Sequence, residues 1–365
     1  MTTRRILQVI ETGGPGGAET VFARLSSGLV EQGHAVHGVI RDGSWLPGEL
    51  KRRGLPFSFF PQGGSFNVAA VKALRALIRA HAIDVVHAHL FDGAVYASMA
   101  ARSLGVPCVV TLHGQVDVAR RNWRMALKHR VFAACVDRVA LVSDALRRDL
   151  SAELGVSAAR QVVVHNGVPV PPALTHGSAN EDVKRVLAIG NIRAPKNYPL
   201  LLEALAGVRE QLPRLELHIA GEPDRGGLQQ QLEQQVRQLR LEDVVTFHGF
   251  VADPSALLNM ADVFVLASSK EGFSLATIEA MLHGVPVVCT RSGGPEEIVR
   301  DGDTGVLVPV NDASTLRDAL LHVLRDREGG RAMAQRGRAD AAARFSLAHM
   351  VARYEALYEE VIGPR

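Results

Sequence analysis

With 365 residues, 47% of them hydrophobic and 22% charged, the chain is too long for one ordinary core and suits two domains of about 150 residues each. A formal charge of +3 gives no ground for a nucleic-acid partner, because such readers concentrate basic residues far more strongly. The three cysteines, Cys108, Cys135 and Cys289, have no metal-like spacing and are odd in number, so buried thiols in a reducing compartment are expected.

The apolar run Ile6 to Ile10 reads as a buried strand, too short for a signal peptide. A glycine-rich loop, Gly13 to Gly17, follows it and opens a helix from Ala18 to Glu31. Strand signals return at Ala35 to Ile40, Asp84 to His89 and Cys108 to His113, with helices such as Val68 to His81 between them. This alternation predicts a parallel sheet covered on both faces. Within Arg120 to Phe132, Arg120, Arg124 and Lys128 fall on one helical stripe beside Trp123, Leu127 and Val131. That stripe suits either an anionic membrane surface or an ordinary solvated face.

After Pro169, Pro171 and Pro172 the chain turns polar from Ala173 to Asp182, the expected linker. Then the pattern restarts. Strands are expected at Arg185 to Gly190, Leu215 to Gly221, Val244 to Phe250, Val263 to Ala267 and Val285 to Thr290, with a helix at Pro199 to Leu212. Two such sheets bind ligands at the carboxyl ends of their strands. Nothing approaches the roughly 18 apolar residues of a membrane-spanning helix. A cytoplasmic location follows as the expectation, with contact at the inner face of the membrane limited to the surface. A last helix, Leu347 to Val361, follows the break at Phe345-Ser346 and carries Met350, Tyr354, Leu357 and Tyr358 on its apolar face.

Four groups of residues carry candidate chemistry. The loop Gly13-Gly-Pro-Gly-Gly-Ala-Glu19 opens a helix, so its amides suit an anion, although a plain tight turn remains open. Glu19 stands where a Walker lysine would, and the G-x-G-x-x-G spacing fails, which leaves a dehydrogenase without its fingerprint. Arg193 and Lys196, just past the strand ending at Gly190, could hold a diphosphate as a planar fork and a point charge, or lie on solvated surface. In Glu271-Gly-Phe-Ser-Leu-Ala-Thr-Ile-Glu279, the first glutamate precedes a helix and the second sits in its opening turns. The amides of Phe273, Ser274 and Leu275 are free to meet a phosphate, and the two carboxylates to accept hydroxyl protons.

Asp301-Gly-Asp303 mimics a metal-binding D-x-D but reads as a turn. His87 and His89 point to one strand face and with His113 suit either a metal or, with no carboxylate or cysteine spacing beside them, packing and hydrogen bonds.

The stretch from Glu271 resembles the E-x7-E motif of the retaining glycosyltransferase family 4, and the resemblance extends over nearly the whole chain. It runs through the glycine loop to Glu19, Asp84 to His89, Thr111 to Gly114, Asn166-Gly167-Val168, Gly190 to Lys196, the two glutamates, and Gly293 to Ile298 with Asp301 to Val308. One departure is Pro169, where the family often has aspartate.

The resemblance implies the GT-B fold: α/β, with two Rossmann-like domains facing across a cleft. Residues 1–170 would form the acceptor-side domain, residues 180–345 the donor domain, and the helix at 347–365 would pack back on the first. It implies that Arg193 and Lys196 neutralise the donor diphosphate, Glu271 meets the transferred sugar and Glu279 the ribose. Gly16 and Gly17 would lie near the diphosphate and the acceptor, His113 near the reacting sugar, and the base against the backbone of Phe250 and Val251.

The expected partners are a nucleotide diphosphate sugar and a glycan or lipid-linked acceptor, with neither metal nor other cofactor. Fixed cations and helix-start amides would meet the charge that grows on the leaving diphosphate. A non-hydrolysing sugar-nucleotide epimerase, whose fold is shared and whose motifs Ser292 to Glu297 resembles, is the alternative, together with a non-catalytic sugar-nucleotide sensor.

Overall fold

The computed structural model describes residues 2–61, 63, 67–114, 123–172, 182–224 and 226–363. The chain divides into two compact units: Met1–Gly167 with Leu347–Arg365, and Val168–Ser346. Of the polar stretch 173–182 only Asp182 lies within the described residues, and Arg120 lies outside them.

The first unit alternates strand and helix along the chain. Its elements are β1 (Arg5–Ile10), α1 (Gly17–Glu31), β2 (Ala35–Ile40), α2 (Leu46–Arg52), β3 (Phe57–Phe59), α3 (Val68–Ala80), β4 (Val85–His89), α4 (Phe91–Arg102), β5 (Cys108–Leu112), α5 (Trp123–Cys135), β6 (Arg138–Leu141), α6 (Asp144–Leu154) and β7 (Gln161–Val163). The strands form one parallel sheet in the order β3-β2-β1-β4-β5-β6-β7. Strands β4 and β5 are buried along their whole length. With helices over both faces, such strands need apolar or fully bonded side chains throughout and lose the alternation of a half-exposed strand.

The second unit repeats the plan with β8 (Lys184–Ile189), α7 (Tyr198–Gln211), β9 (Leu215–Ala220), α8 (Leu228–Gln238), β10 (Val245–Gly249), α9 (Ser255–Met260), β11 (Val263–Leu266), α10 (Leu275–Leu282), β12 (Val287–Thr290), α11 (Pro295–Ile298), β13 (Val306–Val308), α12 (Ala313–Arg325) and α13 (Arg327–Phe345). Its parallel sheet runs β10-β9-β8-β11-β12-β13. Helices α7 and α12 cover one face, where Leu201, Leu205, Leu316 and Leu320 meet Leu217 and Val263 in a fully buried core. In each sheet the order reverses beside the first strand, between β1 and β4 and between β8 and β11. Loops leaving the carboxyl ends of those strands diverge there and leave room for a ligand.

The last helix, α14 (Leu347–Ile362), packs on α1 in the first unit. Tyr354 and Tyr358 are fully buried in that unit, and Tyr354 Oη lies 2.8 Å from Thr111 Oγ1 of β5. His34 Nε2 meets Glu355 at 2.9 Å with both side chains buried, whereas Arg4–Glu359 and Arg138–Glu360 reach half-exposed carboxylates. Apolar and aromatic burial therefore holds the helix more than its exposed ion pairs do. All three cysteines are free; Cys108 and Cys289 are buried, and Cys135, expected to be buried, is only partly so because it ends α5. Among the described residues no helix is long and apolar enough to cross a membrane.

Tyr354→Ala should lower the unfolding free energy by about 3–5 kcal/mol, the range for deleting a buried aromatic ring. Tyr354→Phe, which removes only the contact to Thr111, should cost about 1–2 kcal/mol. Urea unfolding at neutral pH separates the two; equal small losses would show that α14 is only loosely attached.

Candidate active site

In the second unit three loops are tied together at the carboxyl end of the sheet. Beyond β8, the turn at Ala194–Lys196 brings Lys196 Nζ to Glu271 Oε2 at 2.6 Å. Ser268 Oγ, from the end of β11, donates to the same carboxylate oxygen at 3.2 Å. The Ser269 amide donates to Pro195 O at 2.8 Å, which fastens the loop after β11 to the loop after β8. The Glu271 amide donates to Ser292 O at 2.8 Å, and Gly294 returns a bond to Glu271 O at 2.9 Å, which brings in the loop after β12. A β-carbon on Gly294 would fall 2.6 Å from Gly272 O, so only glycine allows this approach. Tyr198 Oη donates to Gly190 O at 2.5 Å, and burial together with the Glu271 charge holds the Tyr198 hydroxyl protonated well above its ordinary range.

Lys196 and Glu271 are each partly exposed. A pair in that setting adds at most about 1 kcal/mol to stability. Arg193, three residues from Lys196, is exposed and has no ion-pair partner among the described residues. It also lines a shallow cavity with Asn191, Glu222 and Asp224.

Ser274 caps α10: its Oγ accepts from the Thr277 amide at 3.2 Å. The earlier amides of the helix start, Leu275 among them, have no acceptor within the helix. Leu275, Ala276 and Glu279 form the partly exposed stripe of α10, so the second glutamate projects from the same face one turn on. The Phe273 ring is buried against Phe345, with centroids 5.6 Å apart, and offers a ligand only its backbone. Phe250 is exposed just past β10, the edge strand, and the partly exposed Val251 follows it. The structure thus joins Lys196 to Glu271 and puts Leu275 and Glu279 on one helix face. Ser268 and Tyr198 are additions that sequence spacing does not reveal.

In the first unit Gly16 is the N-cap of α1. A β-carbon there would collide with the Glu19 carboxylate, which folds back over the loop. The helix start expected to meet an external anion thus carries a carboxylate of its own beside Gly16 and Gly17.

The three histidines form a hydrogen-bonded stack. His87 and His89 have centroids 4.4 Å apart, His89 and His113 5.3 Å. His87 is bonded to Tyr358 Oη at 2.6 Å and Thr111 Oγ1 at 2.7 Å, and His89 to Gln8 Oε1 at 2.9 Å and His113 Nε2 at 3.0 Å. Burial pushes the pKa of His87 down to about 3 and that of His113 to about 4, and holds His89 well below the usual histidine value. All three are neutral at pH 7.

Asp301 and Asp303 flank a turn at Gly302, where φ is +75°. Asp301 accepts from the Leu307 amide and pairs with Arg291, and Asp303 pairs with Arg336. Among the described residues no group of three histidine, cysteine or acidic side chains is placed to hold a metal ion. The basic stripe on α5 is corrected: Lys128 is buried, bonded to Asp92 at 2.5 Å and set over the Tyr96 ring. Helix α4 supplies both partners, so this face of α5 packs inward, and Arg124 lies over Trp123 on the exposed side.

Two doubly wound units with these loops define a GT-B glycosyltransferase. The model described as Glycosyltransferase Family 4 matches residues 15–170, and that described as Glycosyl transferases group 1 matches residues 176–340. A D-inositol 3-phosphate glycosyltransferase of Geodermatophilus obscurus is 30% identical over 306 residues, covering 76% of this chain and 67% of its own. An N-acetyl-alpha-D-glucosaminyl L-malate synthase of Bacillus anthracis is 27% identical over 369 residues, covering 95% of this chain and 94% of its own. The crystal structure of HepE from Anabaena, in complex with UDP and glucose, matches with a TM-score of 0.86 at 21% identity, covering 98% of this chain and all of that one. The chain belongs to glycosyltransferase family 4.

The buried histidines fix a pH dependence. Their folded pKa values lie below the unfolded value of 6.5, so the unfolded chain binds more protons as pH falls through 6.5. Stability should be flat in this respect above pH 6.5 and fall toward pH 4 by up to about 1.4 kcal/mol per pH unit for each histidine. Urea unfolding at pH 7.5 and pH 5 measures it; equal stabilities would show that the stack titrates normally.

Proposed function

We propose that the protein is a retaining, metal-independent transferase that moves a sugar from a nucleotide diphosphate sugar to a hydroxyl of a glycan or lipid-linked acceptor. The convergence of Lys196 and Glu271 beside the reversal point of the second sheet carries this reading. Lys196 and Arg193 meet the diphosphate, with Leu275 and its neighbouring amides at the start of α10. Glu271 accepts from hydroxyls of the sugar, Glu279 from the ribose, and the backbone at Phe250 and Val251 borders the base. Gly16, Gly17 and His113 serve the acceptor and the reacting sugar from the first unit.

In the reaction the bond from the anomeric carbon to the phosphate oxygen breaks as the acceptor oxygen bonds to the same face of that carbon. The acceptor proton passes to the departing phosphate. Negative charge on the diphosphate is largest at this point, so cations held in place beforehand act most strongly there. Glu271 keeps the Lys196 ammonium aimed while the site is free of donor, and the arriving diphosphate then shares it.

Uridine diphosphate sugars are the first donors to test, since HepE is described with UDP and with UDP-glucose. The names of relatives suggest acceptors from L-malate to a diphosphoundecaprenol-linked sugar. Thermal melting selects the donor, because a ligand at 100 times its dissociation constant adds about 2.7 kcal/mol. With that donor and an acceptor, turnover should persist in EDTA and proton NMR should show the donor's anomeric configuration in the product. Arg193→Lys should reduce turnover by about tenfold or more, because an ammonium does not reproduce the guanidinium fork. Turnover lost to chelation and restored by magnesium or manganese, or an inverted product, would refute the reading.

A further inference from the structure

The histidine stack continues into a directed chain of buried groups that the proposed chemistry does not use. Gln8, in the middle of β1, is fully buried, and a buried amide is costly unless both of its ends are bonded. Its Oε1 lies 2.9 Å from His89 Nε2, and its Nε2 lies 3.5 Å from Tyr358 Oη and from His87 Nδ1. We propose that Gln8 and His89 are positioning residues: they hold His113 as the tautomer protonated on Nε2, so that its Nδ1 lone pair accepts from a hydroxyl of the transferring sugar.

The direction of each bond follows from its partners. An amide oxygen only accepts, so the nitrogen of His89 facing it carries the proton. A neutral imidazole has one N–H, so His89 Nδ1 is an acceptor, and His113 Nε2, 3.0 Å away, must donate to it. That leaves Nδ1 of His113 unprotonated, and it meets no partner among the described residues.

The far end of the chain fits the same direction, because Gln8 Nε2 donates to Tyr358 Oη at 3.5 Å. In the proposed arrangement Tyr358 in turn donates to His87 Nδ1, 2.6 Å away. His87 Nε2–H then donates to Thr111 Oγ1, and Thr111 to Tyr354 Oη. The C-terminal helix thereby completes a path that ends at His113, the first residue beyond β5.

The chemistry accounts for the choice of tautomer. As the bond to the diphosphate breaks, the sugar ring gains positive charge, and an imidazolium beside it would raise the barrier. A neutral ring with its lone pair outward accepts a hydroxyl proton and adds no opposing charge. Burial reinforces this by pushing the pKa of His113 down to about 4. The identity of the hydroxyl rests on the proposed transferase reading; the tautomer does not.

The test uses the full chain labelled with 15N-histidine. Long-range proton–nitrogen spectra at pH 7, without substrate, should show His113 protonated on Nε2. Protonation on Nδ1, or a charged ring, would overturn the proposal even if every nucleotide sugar proved inert. Gln8→Met removes the acceptor and should give His113 signals from both tautomers. Its kcat should fall about tenfold, the equivalent of one ordinary hydrogen bond, with the donor KM nearly unchanged. A Gln8→Met protein with the wild-type tautomer and wild-type kcat would equally defeat it. Should that variant fail to fold, the wild-type spectrum alone decides.

Discussion

The bond between Lys196 and Glu271 is the contact on which the loops at the carboxyl end of the second sheet converge. Its two ends, 2.6 Å apart, stand on loops after β8 and β11 that are fastened to each other and to the loop after β12 by backbone bonds at Pro195, Ser269, Glu271, Ser292 and Gly294. A lysine left alone at this partly buried position would lose solvation with nothing in return, and a lone carboxylate would repel a diphosphate. Paired, they form a nearly neutral site to which Arg193 adds one exposed positive charge. Under the proposed function that arrangement would tolerate an empty site and favour a doubly charged ligand.

The first unit solves a different problem. Three imidazoles packed in one column would repel one another if charged; burial keeps them neutral, Gln8, Thr111 and Tyr358 bond nitrogens of His87 and His89, and Tyr354 bonds Thr111 behind them. Two of those partners come from α14, near the end of the chain. The apolar stripe of that helix is thus structural packing with polar tips that reach the histidines, and Glu19 closes over the neighbouring glycine loop in the same unit.

Much of this was legible in the sequence for physical reasons. Strands covered on both faces read as short apolar runs, and the expected strand ends lie within about two residues of those observed, the usual uncertainty at element ends. The spacing of Glu271 and Glu279 places one before a helix and the other on its outward face, as found. Strand β13 was hidden behind the turn at Asp301 because three residues are too few to show a period. Ser268 gave no signal, since a small polar residue at a strand end is ordinary. Lys128 misled because charge periodicity marks a stripe without saying which side packs; Asp92 and Tyr96 of α4 decide that. Gln8 was the clearest missed clue. A lone amide inside Ile6 to Ile10 must find partners, and here they are the histidines.

The central claim is that Lys196 is held for the diphosphate and for no other part of the donor. Calorimetry on Lys196→Ala, titrated with a nucleoside and with the matching nucleoside diphosphate, tests it most directly. The account predicts unchanged nucleoside affinity and diphosphate affinity at least about tenfold weaker, the scale of one charge-assisted hydrogen bond. Equal losses for both ligands, or diphosphate binding as tight as in the wild type, would contradict it.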